Sequence, residues 1–123
     1  MDEIDNLINS LSRTKFRGSF HLNNKMKAYV KEKGMDTVKN HAYDFINSRL
    51  KPAYIKNDGK QTPYRQVHPV FIAQHANGFC CRGCLERIHH IKKGRELTND
   101  EVDYIVKFIM RWIEREVYGY KKM

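Results

Sequence analysis

All three cysteines of the chain and four of its six histidines fall within residues 68–90, HPVFIAQHANGFCCRGCLERIHH. Thiolate and imidazole are the donors that bind zinc and other borderline-soft ions. Cys81-Arg82-Gly83-Cys84 is a C-x-x-C pair. Two thiolates at that spacing reach one ion when the backbone turns tightly between them, and Gly83 permits such a turn. Zinc takes four ligands in a tetrahedron. His75, six residues before Cys81, and His89, five after Cys84, would complete a Cys2His2 set. Cys80 competes for either cysteine position, and His68 and His90 for either histidine position.

Other chemistries compete for the same residues. Free cysteine packs as a small hydrophobe, and Cys80 and Cys84 are four apart, one face of a helix. An iron–sulfur cluster usually takes four cysteines, and the chain has three. A dithiol redox pair belongs at the start of a helix in a strand–helix–strand context, which no pattern here supplies. The stretch HHIKKGRELT echoes the opening of His-Asn-His endonuclease motifs, in which a histidine activates water beside a metal. That reading makes a metal-dependent hydrolase or nuclease the alternative function. It requires a β-hairpin feeding a helix, and the plainer role for His89 and His90 is to end a helix.

The elements that must position this segment read as helices. Ile4, Leu7, Ile8 and Leu11 recur at one-face spacing and predict a helix within residues 1–15. A basic connector follows over 16–22. NNKMKAYVKEKG predicts a short helix capped by Asn23 or Asn24 and ended by Gly34. The next begins near Asp36, carries Val38, Ala42, Phe45, Ile46 and Leu50, and stops before Pro52. Residues 51–68 hold Pro, Gly, Asn and Asp without periodicity. They predict a long loop of functional type lying on the surface beside the cysteines. PVFIAQ is too short for periodicity to separate strand from helix. Over 98–118, Thr98 and Glu101 form a capping box ahead of the stripe Val102, Ile105, Val106, Ile109, Trp112 and Ile113. The expected fold is mainly α: one small helical domain over 1–123 with a long central loop and a Cys/His segment.

Twenty-three Lys and Arg stand against 14 Asp and Glu in 123 residues, a formal charge of +9. That balance favours a polyanionic partner such as nucleic acid. Lys56, Lys60, Arg65, Arg82, Arg87, Lys92, Lys93 and Arg95, from the loop, the cysteine segment and the turn after it, form the expected contact surface. No apolar run approaches the ~20 residues that span a bilayer, and the acidic N-terminus lacks a signal-peptide core. A cytoplasmic protein is expected. In that compartment disulfides are rare, and an odd cysteine count also argues for metal or thiol chemistry.

HAYDFINSRLKPA, NDGKQTP, HPVFIAQHA, CCRGCLERIHHI and KGRELTNDEVDYIV occur in this order. Together they resemble the bacterial family called domain of unknown function 4186 over residues 14–115. The resemblance implies family histidines at His41, His68, His75 and His89 and cysteines at Cys80, Cys81 and Cys84. It supplies no activity and no catalytic residues. The chain departs from the family at ANGF and in having Ile88 where relatives carry tryptophan, and neither change removes a ligand type. The combined expectation is one structural zinc on His75, Cys81, Cys84 and His89 in a module that contacts nucleic acid.

Overall fold

The computed structural model describes residues 3–119. Six α-helices follow one another: α1 Glu3–Ser12, α2 Asn24–Lys33, α3 Met35–Arg49, α4 Pro69–Asn77, α5 Arg82–His89 and α6 Asn99–Tyr118. A single 3-10 turn, Arg17–Ser19, lies between α1 and α2. No strand occurs among the described residues. PVFIAQ, ambiguous as a sequence, is the first two-thirds of α4. Pro69 occupies the opening turn, where proline fits a helix, and the His68 ring caps it by accepting the Val70 N–H at 3.1 Å.

All nine residues of α4 are buried, including Gln74, His75 and Asn77. A helix apolar all round belongs at a centre, and α1, α2, α3 and α6 all pack around it. The long α6 supplies the largest wall of the core through the stripe from Val102 to Ile113, with Trp112 buried as expected. Its capping box is formed reciprocally: Thr98 Oγ1 accepts from Glu101 N–H, and the Glu101 carboxylate accepts from Thr98 N–H. Asn23 caps α2 in the same way, through Met26 N–H.

A carboxylate of α1 is sunk into this core. Asp5 on α1 is buried and accepts from Arg111 at 2.8 Å and Arg115 at 3.2 Å, both on α6. The Arg111 hydrogen bond holds its carboxyl below the usual range against the opposing effect of burial. Removing one partner of such a pair costs about 3–5 kcal/mol, because the other charge is left unsatisfied. The pair therefore fixes how α1 lies on α6. Residues 13–19, which continue from α1, are in turn fixed over the end of α4.

Candidate metal centre

Local backbone chemistry brings the cysteines together. Helix α4 ends at Gly78 in the left-handed conformation (φ 80°, ψ 26°). The Gly78 and Phe79 N–H groups both donate back to the Gln74 carbonyl, and the Gln74 side-chain amide donates to the Phe79 carbonyl at 2.9 Å. A Cβ on Gly78 would lie 2.6 Å from Ile88 Cδ1, so α5 closes onto this glycine. The chain thus turns sharply and delivers Cys80 and Cys81 at the start of α5.

Cys81 is extended (φ −160°, ψ 168°) and is the N-cap of α5; its sulfur accepts the Cys84 N–H at 3.3 Å. The two preceding N–H groups, of Arg82 and Gly83, donate to the Asp58 carboxylate at 2.9 and 3.1 Å. The loop therefore completes the cap of α5, and Thr62 Oγ1 donates to the Cys80 carbonyl at 2.8 Å. The expected place of the loop beside the cysteines is observed. Thr62, expected at the surface, is buried instead, because it serves Cys80 and His75. Gly83 is ordinary helix with room for a Cβ, so its special conformational freedom is not what closes the C-x-x-C. An extended N-cap followed by one helical turn does that.

The sulfurs of Cys80, Cys81 and Cys84 lie within 4.8 Å of one another. No disulfide joins them. A residue absent from the expected set completes the cluster. Arg17, from the 3-10 turn, is buried and donates to the His75 carbonyl at 2.6 Å, to Cys84 Sγ at 3.3 Å and to Cys80 Sγ at 3.6 Å. Arg87 reaches Cys84 Sγ from outside at 3.4 Å. Burial works against the charge of Arg17, but its hydrogen bonds to Cys80 and Cys84 raise its pKa above the ordinary value. The thiols are polarised unequally. A hydrogen bond from Cys80 and the Cys84 N–H push the Cys81 thiol down, whereas the same bond and burial push Cys80 up. Cys81 is the sulfur that carries charge first, as expected of a thiol at a helix N-terminus.

The family model for Domain of unknown function (DUF4186) matches residues 5–114. The chain belongs to this family. No solved structure matches the chain. The DUF4186 match takes in every residue of the cluster, Arg17 included, and three close thiols are a donor set that could hold a metal ion.

The histidines lie outside the three-sulfur cluster. His89 donates from Nε2 to the Asn77 carbonyl at 2.7 Å, meets Tyr104 Oη at 3.2 Å and stacks on Phe79 at 4.1 Å. Both its nitrogens are engaged; burial lowers its pKa to about 4. His68 is committed to the α4 cap and to His41 Nδ1 at 3.0 Å. His90 is exposed and ends α5 with φ 59°. His75 differs. Its Nε2–H donates to the Thr62 carbonyl at 2.9 Å, which leaves Nδ1 as a bare lone pair, buried and without a partner. Its ring stacks on Tyr64, with centroids at 3.9 Å, and lies beside Phe20 at 5.4 Å.

The expected basic surface is also redistributed. Arg82 is buried; its guanidinium donates to the carbonyls of Leu50, Pro52, Lys92 and Arg95, four acceptors from two loops. It is a clamp and is not available to a partner. Arg95 is committed to Glu101 in a two-pronged pair at 2.7 and 2.8 Å. Lys56, Lys60, Arg65, Arg87, Lys92 and Lys93 remain exposed. Sequence reasoning missed Arg17, since nothing local distinguishes one arginine of a basic connector from its neighbours.

Proposed function

We propose that this protein is a small cytoplasmic metal-binding module whose ion is zinc, held by Cys80, Cys81 and Cys84 with His75 as the fourth donor. The observation that carries the reading is the convergence of three sulfurs within 4.8 Å. The chemistry of the surroundings suits it. Three thiolates around a divalent ion carry one net negative charge, and the Arg17 guanidinium lies against two of the sulfurs. The Thr62 carbonyl holds His75 in the tautomer whose Nδ1 is free to ligate, the usual outer-shell device at zinc histidines. A bound ion would tie α4 to the start of α5, where Arg17 of the 3-10 turn and Asp58 and Thr62 of the loop already hydrogen-bond, and its binding energy would be folding energy. No helix among the described residues is long and apolar enough to cross a membrane.

The competing function is a metal-dependent hydrolase or nuclease, in which the three cysteines hold the ion and the fourth position stays open. What favours it is that His75 lies outside the 4.8 Å set. Elemental analysis and cobalt substitution of protein purified without a His-tag decide between them. The module reading expects about one zinc per chain, as for a four-ligand site. It expects His75→Ala to weaken metal retention and lower the melting temperature, and His89→Gln to keep the metal. A metal-free, fully folded protein overturns zinc binding. A His75→Ala variant that keeps metal and stability but loses a phosphodiesterase activity transfers the site to the hydrolase.

A further inference from the structure

The net charge is not spread over the molecule. Residues 6–31 and 59–85 contain nine Lys and Arg and no Asp or Glu; the remainder of the chain carries 14 of each. The whole +9 therefore resides in two segments. They lie against each other. The Gln66 amide donates to the His21 carbonyl and accepts the Asn23 N–H, and Arg17 reaches the His75 carbonyl.

Where they meet, aromatic rings form a row. Phe16 meets Phe20 edge to face at 5.2 Å; Phe20 stacks with Tyr64 at 6.1 Å, and Tyr64 covers the buried His75 ring. Phe16 and Tyr64 are 50% and 59% exposed, a costly way to place large rings unless something lies on them. Exposed Arg13 and Lys15 precede Phe16 in the chain, and exposed Arg65 follows Tyr64. The nearby Glu116 is already held by His21 and the Leu22 N–H.

We propose that this ledge of Phe16, Phe20 and Tyr64, with Arg13, Lys15 and Arg65, binds single-stranded nucleic acid. Stacking platforms bordered by cations are the general solution for strands whose bases are unpaired, because every base has a π-face and every nucleotide a phosphate. A duplex hides its base faces and would meet only the cations. The ledge lies beside the cysteine centre but uses none of the proposed ligands. Of the expected surface of Lys56, Lys60, Arg65, Arg82, Arg87, Lys92, Lys93 and Arg95 the proposal keeps only Arg65 and moves the rest to residues 13–20 and 64, and it stands whether or not zinc is bound.

Fluorescence anisotropy with labelled 12-nucleotide oligo-dT, oligo-U and a duplex of the same length tests it, with zinc content and melting temperature followed in every variant. Both single strands should bind in low salt and the duplex more weakly; the ratio of U to dT tells RNA from DNA preference. Phe16→Leu together with Tyr64→Leu should weaken strand binding at least roughly tenfold, in line with the loss of one or two stacked bases. Arg13→Ala with Lys15→Ala should reduce the salt slope by about 1.4, the value for two phosphates of a single strand. Lys39→Ala with Lys107→Ala, in the groove between α3 and α6, should leave binding unchanged. No binding in low salt, a leucine variant that binds as well as the wild type, or equal losses from the α3–α6 lysines would each overturn the proposal. Intact zinc in those cases leaves the metal reading standing.

Discussion

Arg17 Nη2 stands 3.3 Å from Cys84 Sγ, although 67 residues of chain separate them. The contact sets the electrostatics of the cysteine cluster, because it is a buried positive charge applied to sulfurs that must lose protons to hold a cation. Arg17→Ala should lower zinc affinity by about 10–100-fold, the usual range for a residue just outside the ligands. Arg17→Lys should recover part of it, since a point charge replaces a fork that spans two sulfurs and a carbonyl. Chelator competition measures both.

Arg82 predicts a large loss of stability without a change in metal ligands. Its guanidinium satisfies four carbonyls from residues 50–52 and 92–95. Arg82→Met keeps much of the stem but abandons those carbonyls, at a cost of about 3 kcal/mol or more. Urea denaturation should show it. Arg87→Ala, at the exposed neighbour, should cost less than about 1 kcal/mol.

Gly78 predicts a steric effect at the turn that delivers the cysteines. Alanine there combines a left-handed backbone with a Cβ 2.6 Å from Ile88 Cδ1. Gly34 also has a positive φ, but open space surrounds it. Gly34→Ala should cost roughly 1–3 kcal/mol from backbone strain alone, because φ 88° with ψ 152° is a region open almost only to glycine. Gly78→Ala adds a side-chain clash to its strain, so Ile88→Val in the same chain should restore part of the loss at Gly78 and none of the loss at Gly34. Thermal melts of the single and double variants check it.

His68 and His89 predict acid sensitivity. Burial lowers both to about 4, with electrostatic repulsion from His41 adding to the effect at His68. An unfolded chain binds these protons near pH 6.5, whereas the folded one resists until about pH 4. Their contribution is therefore complete above pH 6.5 and is lost as the pH falls towards 4, by roughly 2–3 kcal/mol for each. His89→Gln, and His68→Asn with its cap acceptor kept, should be less stable at pH 7 but lose less between pH 6.5 and 4. Metal release is common to wild type and variants, so the comparison isolates the histidines. Urea melts across that range are the measurement.

Periodicity and capping alone were enough to determine most of the helices. The α6 stripe, the Thr98–Glu101 box and the Asn23 cap depend on residues within a turn or two of each other, and local physics decides them. The same holds for the C-x-x-C, whose two sulfurs meet because Cys81 caps the helix that contains Cys84. Tertiary structure decided the rest. Whether PVFIAQ was strand or helix turned on its burial from every side, which no six-residue pattern reports. Cys80 rather than a histidine became the third member of the cluster, because His68 and His89 found nearer partners in the α4 cap, His41, Asn77 and Tyr104. Arg17 and Arg82 look in sequence like surface cations. Each is buried, because carbonyls and sulfurs contributed by distant segments converge on its guanidinium. A side chain's neighbours in the sequence set its conformation, but its charge is satisfied by whatever the fold brings to it, and that depends on the packing of all six helices.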